Sequence, residues 1–259
     1  MSDSLVIIPT YNEKENIVRM IHTVFGLDKD FDILIVDDGS PDGTAALVKE
    51  EQKKFGENLF ILERKGKLGL GTAYIAGFKW GLEKGYDFIF EMDCDFSHNP
   101  KDLVRMYRAI HEKNADIVVG SRYVKGGQLE NWPVDRIMLS KGASLYVRMI
   151  TWMPVMDPTA GFICYRRCVL ESIDFEKIRF IGYAFQIEMK FAAYTLGFKI
   201  IEIPITFADR VEGNSKMSKG IVKEAIQGVL KMRWKSFFQS YKKSNGVNAA
   251  AAELPSAKN

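Results

Sequence analysis

The sequence predicts an α/β fold built on a mostly parallel sheet with helices on both faces. Two observations carry this. Strand-like and helix-length segments alternate at a regular rhythm through the first half of the 259 residues. Three polar clusters, PTYNE, DDGSPDGT and DCDFSH, each follow a strand-like run, and open parallel sheets bind ligands beyond the carboxyl ends of their strands.

Leu5 to Ile8 reads as the first strand, and Asn12 as the cap of a helix starting at Glu13, with Glu15 in the capping-box position. Phe31 to Val36 is the second strand, and the turn residues Asp37 to Thr44 lead into a helix ending near Phe55. Asn58 to Leu62 is the third strand and Gly71 to Lys84 the third helix. Tyr86 to Met92 is the fourth strand; Asn99 and Pro100 then cap and open a helix to about Glu112. Ala115 to Val119 is the fifth strand.

After Tyr123 the rhythm becomes irregular. A glycine-rich loop precedes a helix from about Pro133 to Ile150, and the loop MPVMDPTAGF precedes a short strand near Phe162 to Tyr165. A helix near Tyr183 to Leu196 and a strand from Lys199 to Ile205 follow. The loop FADRVEGNSKMS then leads to a basic amphipathic helix from about Lys219. The tail NGVNAAAAELPSAKN has too little apolar bulk to pack and is expected to be disordered.

Composition narrows the classes. Hydrophobic residues at 47% and charged residues at 27% describe an ordinary globular protein. The longest apolar runs, such as ILIV ending at Val36, fall far short of the roughly 18 residues of a spanning helix. No charged-then-apolar leader opens the chain, so a cytoplasmic protein is expected. Cys94, Cys164 and Cys168 form no C-x-x-C pair, and His22, His98 and His111 are scattered, which argues against zinc. Net charge is +3, but nine basic residues between Asp209 and Lys243 face only Asp209, Glu212 and Glu224. That asymmetry points to an anionic partner near the C-terminal end.

The run FIFEMDCDFSHNP delivers two carboxylates, Asp93 and Asp95, two residues apart. On a strand such residues share a face roughly 7 Å apart, and they repel unless a positive group lies between or above them. An isolated D-x-D is most simply a solvated strand-to-loop junction; the other polar clusters at neighbouring strand ends favour a site. Two nucleotide motifs fail. Gly69-Leu70-Gly71 opens like G-x-G-x-x-G, but Tyr74 stands at the sixth position, and no lysine precedes Thr72 as a P-loop requires. KLGLGT reads equally as a tight turn where a helix approaches the sheet and as a substrate loop.

Taken in order, PTYNE, DDGSPDGT, KLGLGTAY, MDCDFSHNP, GSRY, DPTAGF and DRVEGNSKM resemble the inverting family-2 glycosyltransferases, especially the dolichol- or polyprenol-phosphate mannose synthases. The likeness runs from Leu5 to about Phe238. It implies a GT-A fold, a Rossmann-like nucleotide-sugar-binding sheet, and Mg²⁺ or Mn²⁺ at the D-x-D. Pro9, Tyr11, Glu13 and Asp38 match positions that hold the nucleotide's base and ribose. Asp93 and Asp95 match the metal motif, Asp95 as direct ligand, and Ser97 stands where several relatives carry glutamine. Arg122, Arg136, Arg210 and Lys216 match basic positions around the donor diphosphate and the acceptor phosphate. The implied organisation is one domain over 1–243: a nucleotide-sugar half (1–123), an acceptor half (124–218) and the basic helix (219–243), followed by the tail 244–259.

The chemistry agrees with that likeness. Adjacent phosphates of a nucleotide-sugar are bridged to carboxylates by a hard, oxygen-liganded cation. A lipid monophosphate has a second pKa near 6 and is already anionic at neutral pH, so it needs cations to hold it rather than a general base. Arg122 and Arg136 are the expected bidentate clamp. The Q-x-x-R-W signature of processive synthases is absent, and Gln186 and Glu188 occupy the comparable region. The leading expectation is mannose transfer from GDP-mannose to polyprenyl or dolichyl phosphate, with no nucleic-acid partner. Its rivals are a UDP-sugar donor, a saccharide-hydroxyl acceptor, and a nucleotide-sugar-binding module without catalysis. Ile221 to Tyr241, with Val222, Ile226, Val229, Leu230, Phe237 and Tyr241 at near-helical spacing and Trp234 and Phe238 alongside, reads as an interfacial helix, as a core helix, or as both. Peripheral attachment to the inner face of the cytoplasmic membrane is expected.

Overall fold

A computed structural model describes residues 2–182, 184–209 and 219–243. Arg210, Lys216 and the 244–259 tail lie outside the described residues. Strands β1 (Ser4–Thr10), β2 (Asp32–Asp37), β3 (Leu59–Glu63), β4 (Phe88–Glu91), β5 (Ile117–Ser121), β7 (Ile163–Arg166) and β8 (Ile200–Pro204) form one sheet in the order β3-β2-β1-β4-β7-β5-β8. All neighbours are parallel except β7, which runs antiparallel between β4 and β5. Two short strands, β6 (Gln128–Glu130) and β9 (Thr206–Ala208), pair separately; neither was legible as a strand.

The helices are α1 (Ile17–Phe25), α2 (Thr44–Phe55), α3 (Leu70–Lys84), α4 (Asp102–Glu112), α5 (Val134–Thr151), α6 (Arg167–Ser172), α7 (Ala184–Thr195) and α8 (Lys219–Lys235). Side chains alternate across the sheet and fill two cores. Leu5, Ile7, Leu34, Val36, Ile89 and Tyr165 enter one, while Val6, Ile8, Ile33, Ile35, Phe90 and Cys164 enter the other. Strand order reverses direction between β1 and β4, so their carboxyl ends flank the crevice where such sheets take ligands.

Two local readings change. The first helix starts at Ile17 rather than Glu13, and Asn12 adopts a left-handed φ of 61°. The reason is tertiary: the backbone N–H groups of Asn12, Glu13 and Lys14 donate to Ser40 Oγ, Thr44 Oγ1 and Asp42 Oδ2 of the neighbouring loop. The helix after β4 starts at Asp102, two residues late and with Lys101 rather than Asn99 at its N-cap; Asn99 Oδ1 accepts from Lys101 N–H in the turn before it. KLGLGT makes a close approach to α7 and the segment before it rather than to the sheet. Gly71 N–H donates to Ile181 C=O at 2.9 Å, and a Cβ on Gly69 or Gly71 would fall 2.8 or 2.7 Å from Ile181 or Phe185.

Candidate active site

The carboxyl ends of β1 and β2 are tied by side chains. Asp37 Oδ1 accepts from Thr10 Oγ1 at 2.8 Å and from Ser40 Oγ at 2.6 Å. Thr44 Oγ1 in turn donates to Asp42 Oδ1, whose carboxyl is held below the usual range by its Thr44 and Lys14 contacts despite the upward push of burial. Pro9 is the penultimate residue of β1, beside these loops; Tyr11 lies half-buried with Lys67 Nζ 4.7 Å from its ring centroid. Asp38 is gripped by Arg64 through Nε at 2.6 Å and Nη2 at 2.9 Å, and Arg64 Nη1 also donates to Thr72 Oγ1 of α3. A carboxylate expected to face the nucleotide is thus oriented by an arginine that sequence reading passed over.

At the end of β4, Asp93 is half-buried and Asp95 buried. Asp95 Oδ1 accepts both Ser97 N–H (3.1 Å) and Ser97 Oγ (2.6 Å), which closes the turn. Burial raises the Cys94 thiol's pKa, and the Glu13, Asp95 and Asp93 carboxylates around it raise it further, so acids from two strand ends converge here. Ala208 N–H donates to Ser97 C=O, and His98 pairs with Phe207, which fastens the D-x-D turn to β9.

The two arginines meet on one aromatic side chain. Arg136 lies 3.7 Å from the Trp132 ring centroid and Arg122 lies 5.8 Å from it. Arg136 Nη1 donates to both oxygens of Asp209, at 2.9 and 3.0 Å. The Arg122 side chain is 9% exposed, and its Nε and Nη2 reach the Asp157 oxygens at 2.7 Å each, with Nη2 also on Thr159 Oγ1. The fork expected to hold an acceptor phosphate is therefore closed on a carboxylate in this conformation. Asp157 comes from the DPTAGF loop, whose backbone is held by Glu202 accepting from the N–H groups of Met156 and Asp157.

Beneath the site lies a polar network in the core. Gln186 Nε2 donates to Glu91 Oε2, Lys190 Nζ donates to Ala160 C=O at 2.6 Å, and Glu91 and Lys190 are both fully buried. Burial pushes Glu91 up to about 8 and Lys190 down to about 8, with each one's charge countering the other's shift. The signal for this network was in the sequence. The helix AFQIEMKFAAYT is apolar around most of its circumference, so it must be buried, and polar residues on such a helix require partners.

The structure thus sets Tyr11 and Glu13 after β1, Asp38 after β2, and Asp93, Asp95 and Ser97 after β4, with Glu13, Asp93 and Asp95 converging near Cys94. It brings Arg122 together with Arg136 at Trp132. Asp93, Asp95 and Ser97 offer only oxygen, the donor set of a hard cation. Among the described residues no group of three or more acid, histidine or cysteine ligands forms. The oxygen donors of Asp93, Asp95 and Ser97 fit Mg²⁺ or Mn²⁺ shared with substrate phosphates, which takes one or two carboxylates from the protein.

Comparison with known proteins places this geometry. Residues 5–174 match the profile of Glycosyl transferase family 2. The polyprenol monophosphomannose synthase of Mycolicibacterium smegmatis is 46% identical over 223 residues, covering 86% of this chain and 84% of that protein. The undecaprenyl-phosphate mannosyltransferase of Micrococcus luteus is 46% identical over 230 residues, covering 89% and 93%. Among solved structures, glucosyl-3-phosphoglycerate synthase from Mycobacterium tuberculosis, in complex with Mn²⁺, UDP and glucosyl-3-phosphoglycerate, superposes with a TM-score of 0.62 at 16% identity over 91% of this chain and 79% of its own. The mannosyltransferase PcManGT from Pyrobaculum calidifontis, in complex with GDP-Man and Mn²⁺, gives 0.58 at 16% identity, and this chain covers 66% of it. With its D-x-D at the carboxyl end of β4 and this kinship over most of its length, the chain belongs to glycosyl transferase family 2 and is a glycosyltransferase of the GT-A fold.

Proposed function

We propose that this enzyme transfers mannose from GDP-mannose to a polyprenyl monophosphate, with inversion, at a membrane surface. The observation that carries the reading is the pairing of two unlike features at one sheet edge: an acidic D-x-D turn, and two arginines converging on Trp132. The first suits a cation-bridged diphosphate and the second an anionic acceptor. The names of the two relatives at 46% identity support mannose as the transferred sugar and a polyprenyl phosphate as its acceptor.

Asp93, Asp95 and Ser97 would hold Mg²⁺ or Mn²⁺, which when bound offsets the charge on the departing diphosphate. The protein's own residues do the rest. Pro9, Tyr11, Glu13 and Asp38 cradle the nucleoside, Asp38 being held in place by Arg64. Arg136, and Arg122 on rearrangement from Asp157, steady the acceptor phosphate. A phosphate oxygen attacks the anomeric carbon from the face opposite GDP, the bond from that carbon to the diphosphate breaks, and GDP leaves with the electron pair. The acceptor dianion carries no proton to remove, so no general base is required. Arg210 and Lys216 are assigned to the phosphates by their place in the family's motif alone.

Attachment to the membrane falls to α8 and the residues after it. Val229, Met232 and Tyr241 are buried, whereas Leu230, Trp234, Phe237 and Phe238 are exposed among basic residues. The helix therefore serves the core on one side and presents an amphipathic face on the other. No helix among the described residues is long and apolar enough to cross a membrane.

The test is transfer of labelled sugar to undecaprenyl phosphate in detergent with Mg²⁺ or Mn²⁺. Label entering the organic phase from GDP-mannose is expected. Label from UDP-glucose alone overturns the donor assignment, and label on an added saccharide in place of the lipid overturns the acceptor.

A further inference from the structure

Helix α5 exposes an apolar stripe that the described residues leave uncovered. Val134, Met138, Leu145, Met149 and Trp152 fall on one side at helical spacing and are 55–72% exposed. The stripe continues onto the neighbouring helix, because the Arg233 guanidinium lies 4.6 Å from both the Trp152 and the Phe237 ring centroids. A contiguous apolar surface of this kind marks a contact with a partner or a membrane.

Beside the stripe runs a cleft of about 350 Å³ between α5 and the loop after β5. Lys141, Ser144 and Arg148 line it from the helix, about one turn apart, and Arg122 lines the other wall. Among the described residues no carboxylate lines it. Ser144 is only 3% exposed, and its Oγ, like Arg148 Nε, is buried without a hydrogen-bond partner. Buried donors without acceptors are costly, and the cations and donors of this lining, set among Val124, Leu145 and Met156, are complementary to an anion that carries apolar chains.

We propose that this cleft binds the phosphate of an anionic phospholipid while the α5 stripe rests among the neighbouring acyl chains. A bilayer interface presents this pairing, apolar chains at one depth and phosphates immediately above. The acceptor is the less suitable occupant. A polyprenyl monophosphate has one phosphate, already assigned to Arg136 and Arg122 at Trp132; Arg122 also lines this cleft, and Lys141, Ser144 and Arg148 extend it further along α5. The inference rests on the membrane part of the proposed function and not on its chemistry.

Flotation with vesicles tests it. Three compositions are compared at low salt: phosphatidylcholine alone, the same with phosphatidylglycerol, and the same with polyprenyl phosphate. The native chain should prefer phosphatidylglycerol vesicles to neutral ones. Lys141→Gln with Arg148→Gln should reduce that affinity by about fivefold for each cation removed, with binding to neutral vesicles and the melting temperature retained. Should the double variant fold poorly, Lys141→Gln alone, at an exposed position, carries the same test. Equal binding to neutral and anionic vesicles overturns the proposal, as does native affinity in a folded variant. Selectivity confined to polyprenyl phosphate gives the cleft to the acceptor instead, and a dimer in sedimentation that Met138→Glu dissociates gives the stripe to a second copy. Transfer assayed in detergent reports the proposed chemistry separately, so the two readings fail independently.

Discussion

Arg122 and Asp157 form a buried, two-pronged ion pair, with Arg122 Nε and Nη2 each 2.7 Å from a carboxylate oxygen and the Arg122 backbone N–H adding a third bond at 3.1 Å. Two loops, one after β5 and one before β7, are thereby held together. Asp157→Ala strands a buried guanidinium, and breaking such a pair costs about 3–5 kcal/mol. Urea unfolding should show a loss of that size at neutral pH. Against the push of burial, Arg122 holds the Asp157 carboxyl below its ordinary 3.8. The pair's contribution is therefore full above that value and is lost as pH falls through the lower folded value. The gap between native and variant stabilities should narrow in that acid range; a gap that stays constant there would contradict the assignment.

Asp95→Asn should keep the fold, because the residue closes a turn beyond β4 and an amide oxygen can still accept from Ser97. Transfer should fall by about 100-fold or more, since the charge on a departing diphosphate is worth several kcal/mol. Melting temperature and rate are the two readouts. A variant as active as the native protein, in buffer treated with chelator, would remove the cation from this turn.

Arg136→Ala should weaken use of the lipid acceptor more than binding of the nucleotide-sugar. Charge-assisted hydrogen bonds of this type contribute about 1.5–3 kcal/mol, or roughly 10- to 150-fold in kcat/KM for the lipid. Calorimetry of donor binding is the control. If donor affinity falls by the same factor, Arg136 belongs to the diphosphate.

Lys190 offers a pH experiment of the same sign as Asp157, but at the alkaline end of the range. Its folded value is lowered to about 8 from 10.5, so between those values the unfolded chain binds more protons and stability gains with rising pH. Below about 8 that contribution is gone. Glu91, raised to about 8, acts in reverse: its contribution is full below 4.5 and is lost as pH rises through about 8. In Lys190→Met the gain between about pH 8 and 10.5 should disappear, read as the difference in denaturation midpoint between variant and native protein. An unchanged difference across that range would mean that the ammonium is solvated.

Much was decided by the sequence alone. The alternation of strands and helices required a parallel sheet, because each element's apolar face or stripe has to be buried against its neighbour. Polar clusters after β1, β2 and β4 marked the ligand edge, since loops there are freed from the sheet's hydrogen-bond ladder. Asp93 and Asp95 were visible for the same reason.

The tertiary structure settled what depends on residues distant in the chain. Asn12, Glu13 and Lys14 looked like a helix start, yet their N–H groups are satisfied by Ser40, Thr44 and Asp42, and such contacts outweigh a local cap. Arg64 finds Asp38 across 26 residues, and Arg122 finds Asp157 across 35. The antiparallel insertion of β7 between β4 and β5 carries the DPTAGF loop back to Arg122. Propensity and periodicity describe a residue's near neighbours, whereas an ion pair is set by the path of the whole backbone. The chain itself named the acids at the strand ends; only the fold showed which cations face them, and which are already held by other acids.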